Sequence, residues 1–163
     1  MEKVLKLENK DQAKFLRKKT QKFDFNKYSQ EDIKKLIARM RKTMEEAEGI
    51  GLAANQIGLG ESVFVAEWDG KFYAVFNPKI SNPSREKEEM EEGCLSIPGK
   101  YGTVKRPASV LLIGENSSGK KVKIKAWDML ARIFQHEVDH LNGKLYVDRM
   151  SKFKRLKLRG KEE

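Results

Sequence analysis

Apolar residues recur at intervals of three and four along the stretch between Ser29 and Gly49. That spacing places them on one face of a helix and leaves the charged residues on the other. Ser29, followed three residues later by Asp32, resembles a capping signal, and Gly49 ends the pattern. The sequence therefore predicts an amphipathic helix with an apolar face of Ile33, Leu36, Ile37, Met40, Met44 and Ala47.

Two pairs of short segments rich in β-branched, aromatic or alternating apolar residues predict β-hairpins. Asp69-Gly70 joins the first pair and favours a tight turn, and the turn sequence NSSG lies within the second. Lysines alternate with Val122 and Ile124 in the last segment, as expected for a strand with one wet face. The paired segments are 62–68 with 71–76, and 109–113 with 121–126.

A second helix is predicted after these hairpins. Asp128 is placed to cap its start, the pattern runs through His140, and Asn142-Gly143 supplies an end. Strands and helices together predict an α+β fold, in which antiparallel or mixed β-sheets pack around this central helix. The 163 residues suit a single domain, 1–163, that buries about two-thirds of its unfolded surface.

Positive charge is concentrated at the two ends of the chain. Residues 1–27 carry 9 Lys and Arg against 4 Asp and Glu, and residues 149–163 carry 7 against 2. The segment between them is neutral, so the ends supply the whole net charge of +10. Basic ends attract polyanions through counterion release, which predicts a contact with the ribosome surface and its RNA. A solvated surface that only aids solubility is the alternative.

The sequence predicts a cytoplasmic protein. Its first residues, MEKVLK, are charged and contain no apolar run, and no stretch is long enough to span a bilayer. The single cysteine, Cys94, excludes an intramolecular disulfide and suits a reducing compartment. We therefore expect no membrane contact, and we predict a monomer.

The candidate chemistry starts from the pentapeptide HEVDH. Its His136 and His140 are the only histidines, and four residues along a helix place both imidazoles on one face, where they can bind one metal ion. The thiolate of Cys94 can supply a third ligand and leave a fourth position open, as in catalytic sites. Glu137 then lies close enough to serve as acid and base. The alternative is a solvated amphipathic helix that carries two histidines by accident.

Two further segments combine small residues with one reactive or polar side chain. Cys94 follows Gly93 in EGCLS, whereas a structural cysteine usually lies in an apolar run. The segment GIGLAANQ, 49–56, joins glycines and alanines to one terminal amide, Gln56. Taken alone, this segment is a helix end followed by a tightly packed turn, and Gln56 is an ordinary polar residue of a loop.

These three segments resemble the motifs of the peptide deformylases, which are G-x-G-L-A-A-x-Q, E-G-C-L-S and H-E-x-x-H in that order. The resemblance covers roughly residues 29–150. It implies that Cys94, His136 and His140 bind one divalent metal ion. The implied metal is Fe2+, with Zn2+, Ni2+ or Co2+ able to take its place, whereas the ligand types alone would favour zinc.

The resemblance also implies roles for three further residues. Glu137 would be the acid and base. Gln56 and the backbone N–H of Leu95 would hold the carbonyl oxygen of the substrate. The implied substrates are nascent polypeptides that begin with N-formylmethionine, from which the enzyme removes the formyl group as formate.

Substrate contacts follow from the way in which family members hold the peptide as an added strand. Here Gly49, Ile50 and Gly51 would lie on one side of it, and Glu92 and Gly93 on the other. The methionine side chain needs an apolar pocket, although the residues placed to form one are equally suited to a core. The candidates for this pocket are Ile50, Met90, Met129, Ile133 and the rim of His136.

The chain departs from the family pattern in several places. Residues 1–27 are basic and contain no proline, so their fold is open, and we expect catalysis not to depend on them. Tyr101 stands where many bacterial members have an arginine. Arg106 is expected to pair with Glu92 and brace the cysteine loop, the alternative being an ordinary surface contact. The short basic tail, 151–163, is either a partial helix or disordered.

Two other functions compete with deformylation. A zincin peptidase would need a third ligand beyond the helix, where only Asp148, Glu162 and Glu163 carry carboxylates. A non-catalytic ribosome- or RNA-binding protein would use the basic ends and a structural metal. Such a metal site normally closes its fourth position with another Cys or His, and the sequence has none. Deformylation is therefore the predicted function.

Overall fold

The computed structural model describes residues 2–159. Short 3-10 helices lie at Phe25–Lys27 and Ala54–Ile57. The α-helices are α1 (Lys10–Leu16), α2 (Gln30–Glu46), α3 (Asp128–Leu141), α4 (Tyr146–Arg149) and α5 (Lys152–Arg159). The strands are β1 (Gly51–Ala53), β2 (Val63–Trp68), β3 (Lys71–Ser81), β4 (Lys87–Cys94), β5 (Ile97–Pro107), β6 (Ser109–Glu115) and β7 (Lys121–Trp127).

Helix α2 confirms the first predicted helix. Ser29 and Asp32 form a capping box, in which each side chain accepts a hydrogen bond from the other residue's backbone N–H. Beyond its last turn, the Gly49 N–H donates to the Met44 carbonyl at 2.9 Å. The chain therefore turns from α2 directly into the glycine-containing segment that begins at Gly49.

Five strands form one sheet in the order β1-β2-β3-β6-β7. Both predicted hairpins are confirmed: β2 pairs with β3 around Asp69-Gly70, and β6 pairs with β7. β3 continues past the predicted end at Phe76, and its register with β6 shifts there. The ladders of this sheet are antiparallel, and the one parallel pairing within residues 2–159 is an isolated bridge between Gln21 and Glu61.

β4 and β5 form a separate antiparallel ribbon. Its closed end carries Cys94 opposite Ile97, and the register shifts between Glu92 and Cys94. The two sheets and five α-helices seen within residues 2–159 confirm the predicted α+β class.

Helix α3 contains the pentapeptide and lies against both sheets. Its apolar residues, among them Phe134 and Leu141, join the core that covers the five-stranded sheet. Its Arg132 and His136 reach the ribbon at Glu92. The sequence thus correctly predicted a helix over this pentapeptide, and that helix contacts both sheets.

The predicted start of α3 is wrong by one residue. Trp127 occupies the capping position and its side chain makes no capping hydrogen bond, whereas Asp128 is the first residue of α3 and has a φ of 52°. β7 runs into α3 without an intervening loop, so no loop side chain is available as a cap. The Asp128 N–H donates instead to the Ala108 carbonyl at 2.9 Å. The predicted end is confirmed, with Asn142 as the C-cap and Gly143 at a φ of 73°.

The termini pack on the rest of the fold where the structure describes them. Leu16 and Phe23 are fully buried, so the basic N-terminal segment contributes to the core. α5 confirms the partial-helix alternative for the tail as far as Arg159, and Met1 and residues 160–163 lie outside the described range. Within that range, no helix has the length and apolar character needed to cross a bilayer.

Candidate active site

Cys94, His136 and His140 meet at one point. Cys94 ends β4, and the two histidines lie one turn apart on α3. The His140 Nε2 lies 3.2 Å from the Cys94 Sγ and 3.2 Å from the His136 Nε2. The three candidate ligand atoms all lie within 4.8 Å of one another. Two nitrogens bound tetrahedrally at about 2.0–2.1 Å would stand roughly 3.3–3.4 Å apart, so this spacing fits a single ion.

The charges around Cys94 favour its thiolate. Burial opposes ionisation, but His140 and His136 outweigh it and hold the pKa of the Cys94 thiol well below its usual value. Burial also acts to lower the pKa of His136, and its hydrogen bonds to Cys94 and Glu92 outweigh that effect and raise the pKa. The thiolate is the form of cysteine that binds metals, and the imidazole of His136 binds a metal only after it releases its proton.

Glu92 is a buried carboxylate that orients His136. The His136 Nδ1 lies 3.0 Å from the Glu92 Oε2, which leaves the Nε2 facing the site. Arg106 donates to both carboxylate oxygens at 2.6 and 3.0 Å, and Arg132 donates at 2.7 Å. Burial acts to raise the pKa of Glu92, but hydrogen bonds from His136 and Arg106 hold it well below its usual value.

The expected bracing pair of Arg106 and Glu92 is thus confirmed. Both side chains are at most 5% exposed, so the surface-contact alternative is wrong. The brace continues on the far side of Arg106, which donates to Asp139 at 2.8 Å, and Arg149 donates to Asp139 at 2.7 Å. Burial acts to raise the pKa of Asp139, and these two arginines hold it below its usual value.

Glu137 is buried beside the three candidate ligands. Its Oε2 has no hydrogen-bond partner among residues 2–159, and burial raises the pKa of its carboxyl group. A carboxyl group that is buried and unpaired suits proton transfer to and from a bound reactant. Gly51 makes room for it, because a methyl group at Gly51 would overlap the Glu137 carboxylate.

Gln56 points its amide nitrogen into the site. The Ala53 N–H donates to the Gln56 Oε1 at 2.9 Å, which fixes the orientation of the amide. The Gln56 Nε2 then donates to the Ser96 Oγ at 3.1 Å and approaches the Cys94 Sγ at 3.6 Å. Leu95 lies between Cys94 and Ser96 in the turn that closes the ribbon. The structure therefore brings both predicted amide donors to the candidate metal ligands.

A cavity of about 630 Å³ opens onto these residues. All but one of the residues predicted to contact substrate line this cavity. Two of them, Ile133 and Met129, also pack in the apolar core. Met90 is not among its lining residues, because it lies on β4 two residues before Glu92, roughly 7 Å further along the strand. The predicted residues that line the cavity are Gly49, Ile50, Gly51, Glu92, Gly93, Met129, Ile133 and His136.

Two contributors, Ser96 and Arg132, were not predicted from the sequence. Ser96 is fully buried and its N–H donates to the Cys94 Sγ at 3.4 Å. Arg132 lies one turn before His136 on α3, and that spacing alone could have indicated a contact with the same carboxylate. Tyr101, which lines the cavity at 60% exposure, packs on Gly93. Tyr101 is the residue that the sequence already marked as a departure from the family pattern.

The donor set fits a divalent metal ion. One thiolate and two imidazole nitrogens converge, and residues 2–159 supply no fourth ligand, which matches the pattern of catalytic rather than structural sites. The buried Glu137 Oε2 has no partner within the described chain, so a polar group is available for whatever occupies the open position. The zincin alternative fails on this geometry, because the third donor comes from β4 and not from a residue beyond α3.

Comparisons with known proteins agree with this site. The family model described as polypeptide deformylase matches residues 1–156. The peptide deformylase of Halothermothrix orenii is 46% identical over 117 residues, which cover 71% of this chain and 75% of that protein. The peptide deformylase of Rhizobium meliloti is 45% identical over 129 residues, covering 76% and 74%.

Solved structures give the same result. The peptide deformylase of Thermotoga maritima superposes with a TM-score of 0.84 at 36% identity, covering 93% of this chain and 98% of that one. Peptide deformylase 1B of Arabidopsis thaliana superposes with a TM-score of 0.88 at 34% identity, covering 97% and 86%. The chain therefore belongs to the polypeptide deformylase family, whose members are metal-dependent hydrolases that remove the formyl group from nascent formylated peptides.

Proposed function

We propose that Cys94, His136 and His140 hold a single divalent ion and that Fe2+ is the working metal. The convergence of the three donor atoms supports the ligand set, and the soft thiolate is compatible with Fe2+ as well as with Zn2+, Ni2+ or Co2+. When bound, a divalent ion supplies Lewis acidity and lowers the pKa of water from about 15.7 toward 7. Glu92 holds the His136 ring in the orientation that this ligand set requires.

The substrate peptide is proposed to bind as an added strand between 49–51 and 92–93. Both segments line the cavity, and the glycines among them carry no side chain that would keep a third strand at a distance. Ile50, Met129 and Ile133 supply apolar surface for the methionine side chain. The formyl group would then lie beside Glu137 at the inner end of the cavity.

Glu137 is proposed to carry the proton in both halves of the reaction. A water molecule adds to the formyl carbon while Glu137 accepts its proton, so the new C–O bond forms as the carbonyl oxygen becomes negative. The C–N bond then breaks, and Glu137 delivers the proton to the departing amine. The products are formate and a peptide with a free amino terminus.

Gln56 and the Leu95 N–H are proposed to stabilise the negative carbonyl oxygen. The Gln56 amide is already oriented by Ala53, so its Nε2 needs no reorganisation when charge develops. Loss of one such donor typically raises the barrier by about 3 kcal/mol. The observation that carries the proposal is the buried, unpaired Glu137 carboxylate beside the three converging ligands.

The test is formate release from formyl-Met-Ala-Ser by metal-loaded protein. Glu137→Gln is expected to keep the metal and lose at least about a hundredfold in kcat. Asp128→Asn, which removes one exposed carboxylate from the same helix, is the matched control and should stay near wild type. Near wild-type turnover by Glu137→Gln would refute the proposed role of this residue.

We also propose that the protein contacts ribosomal RNA. A groove of about 920 Å³ lies along another face of α3, beside Asp139 and Asn142. Six exposed lysines line it, and none of the six forms an ion pair with another described residue. Unpaired cations of this kind support phosphate binding. These residues are Lys19, Lys22, Lys79, Lys87, Lys105 and Lys144.

Cosedimentation with ribosomes across a salt series tests this contact. Glutamine at Lys79, Lys87 and Lys105 is expected to weaken binding and flatten its salt dependence, with small-peptide turnover unchanged. Glutamine at the exposed Lys121, Lys123 and Lys125 removes the same charge outside the groove and is the control. Equal binding by both triple variants would count against the groove.

We further propose that the protein is a cytoplasmic monomer with one domain. Light scattering, which measures the molar mass in solution, tests the monomer.

A further inference from the structure

The N-terminal segment runs beside the candidate active site, and its Lys6 is one of the residues that line the cavity. The Leu5 N–H donates to the Gln56 carbonyl at 2.7 Å, and the Leu7 N–H donates to the Ser96 carbonyl at 2.9 Å. Between them, the Lys6 Nζ donates to the Leu95 carbonyl at 2.5 Å. Three consecutive residues therefore hold two segments that lie forty residues apart in the sequence.

The two segments held in this way carry the proposed oxyanion donors. Gln56 contributes its side-chain amide, and Leu95 contributes its N–H from the turn that follows Cys94. The distance between these donors is set by how the Gln56 segment and the cysteine turn sit against each other. Besides the contact of Gln56 with Cys94, the one side-chain hydrogen bond between them within the described chain is that from the Gln56 Nε2 to the Ser96 Oγ, at 3.1 Å.

Lys6 also acts on Cys94 through one peptide group. The Leu95 carbonyl and the Ser96 N–H are the two ends of the same peptide unit, and the Ser96 N–H donates to the Cys94 Sγ at 3.4 Å. An ammonium group at the carbonyl end polarises that unit and strengthens its N–H as a donor. The charge of Lys6 thereby strengthens the hydrogen bond that the Cys94 Sγ accepts from Ser96.

The segment is anchored on both sides of Lys6. Upstream, Glu2 pairs with Arg39 on α2. Downstream, the Lys6 N–H donates to the Gln12 Oε1 at 2.6 Å, which ties the segment to α1. Val4 is buried in the core beneath α2. These contacts fix the segment in the fold. The segment can therefore hold the Gln56 segment and the cysteine turn in place.

We propose that Leu5–Leu7 is a strap that positions the proposed oxyanion donors, and that Lys6 is its positioning residue. The inference rests on the proposed roles of Gln56, Leu95 and Cys94. It replaces the expectation that catalysis does not depend on residues 1–27. Lys6 lines the cavity but makes no described contact with the proposed metal ligands, so we expect its effect mainly in kcat and in the hydrogen bond that the Cys94 Sγ accepts.

The experiment compares Lys6→Met and Lys6→Gln with the conservative Lys6→Arg. The matched control is Lys3→Met, which removes an exposed ammonium from the same segment. Rates are measured on formyl-Met-Ala-Ser and normalised to bound metal, and folding is checked by the thermal midpoint. In parallel, the thiolate-to-metal absorption band of the Co2+-loaded proteins is recorded, which requires no turnover.

Removing the ammonium is expected to lower kcat by about tenfold, with KM changed less than about twofold. The Co2+ absorption band should shift in Lys6→Met or Lys6→Gln, whichever of the two folds. Lys6→Arg and the control Lys3→Met should both keep the wild-type kcat and the wild-type band. An unshifted band together with wild-type kcat in a folded Lys6 variant overturns the strap, as does an equal loss in Lys3→Met. If wild type releases no formate, the proposed function fails, and the band still decides the role of Lys6.

Discussion

The two sheets hold α3 by different kinds of interaction. Against the five-stranded sheet, α3 packs apolar side chains such as Phe134 on fully buried partners such as Phe64 and Leu112. Against the β4–β5 ribbon, it makes buried ion pairs and hydrogen bonds, with Glu92 at their centre. The contact with the five-stranded sheet forms the apolar core. The contact with the ribbon includes the imidazole of His136, a proposed metal ligand.

The comparison separates stability from geometry. Apolar packing stabilises a fold in rough proportion to the area buried, and it fixes no single polar orientation. A buried carboxylate that accepts hydrogen bonds from two arginines and a histidine has few alternative arrangements, and losing one partner leaves charge uncompensated. We therefore expect mutations at the ribbon to change metal affinity, and equally destabilising mutations at the large sheet to leave it intact.

Arg106→Met should give the largest effect. It leaves Glu92 and Asp139 each short of one buried partner, so the free energy of unfolding should fall by about 4 kcal/mol. Metal affinity should fall by about tenfold or more, because Glu92 no longer holds His136 as firmly. Urea unfolding of the metal-free protein and competition with a chelator measure the two quantities.

Lys105→Met provides the control for that prediction. Lys105 is the exposed neighbour of Arg106 on β5, and its loss should change neither quantity appreciably. Unaltered metal affinity in a clearly destabilised Arg106→Met protein would contradict the orienting role of the ribbon contact.

Leu112→Ala should be nearly as destabilising with a different outcome at the site. Leu112 is fully buried on β6, and its truncation should cost about 3 kcal/mol through lost contacts and a residual cavity. Metal affinity should stay within about twofold of wild type, because Leu112 forms no part of the hydrogen-bonded group of Glu92, Arg106 and Asp139. A loss of affinity comparable to that of Arg106→Met would erase the distinction between the two regions.

Arg149→Gln should have the smallest effect. Its side chain is 44% exposed, and Asp139 keeps its buried partner Arg106. The free energy of unfolding is expected to change by less than about 1 kcal/mol, as for other solvent-screened ion pairs. The same denaturation and competition measurements apply, and a cost equal to that of Arg106→Met would show that the outer end of the brace matters as much as its centre.

Local signals in the sequence predict much of this fold. The capping pair Ser29 and Asp32 defines the start of α2, and Asp69-Gly70 defines the first hairpin, because both depend on contacts within a few residues. The histidine spacing likewise predicts that both imidazoles share a face of α3. The approach of Cys94 to them was inferred from the resemblance of three motifs, and its role as a ligand stays a prediction.

The remaining features depend on contacts between distant segments. Arg132 gains its role only when β4 brings Glu92 beside α3, and Lys6 gains its role only when the N-terminal segment meets the cysteine turn. Asp128 was predicted as a cap because the sequence does not show that β7 continues into the helix. Met90 was assigned to the pocket from proximity in sequence, which does not specify how far along a strand the cavity extends.

X-ray absorption on the Fe2+- or Zn2+-loaded protein tests the central claim most directly. One sulfur at about 2.3 Å and two imidazole nitrogens at about 2.0–2.1 Å are predicted, with the sulfur shell lost in Cys94→Ser. A first shell of nitrogen and oxygen alone in the wild-type protein would contradict the convergence of Cys94, His136 and His140 on one ion.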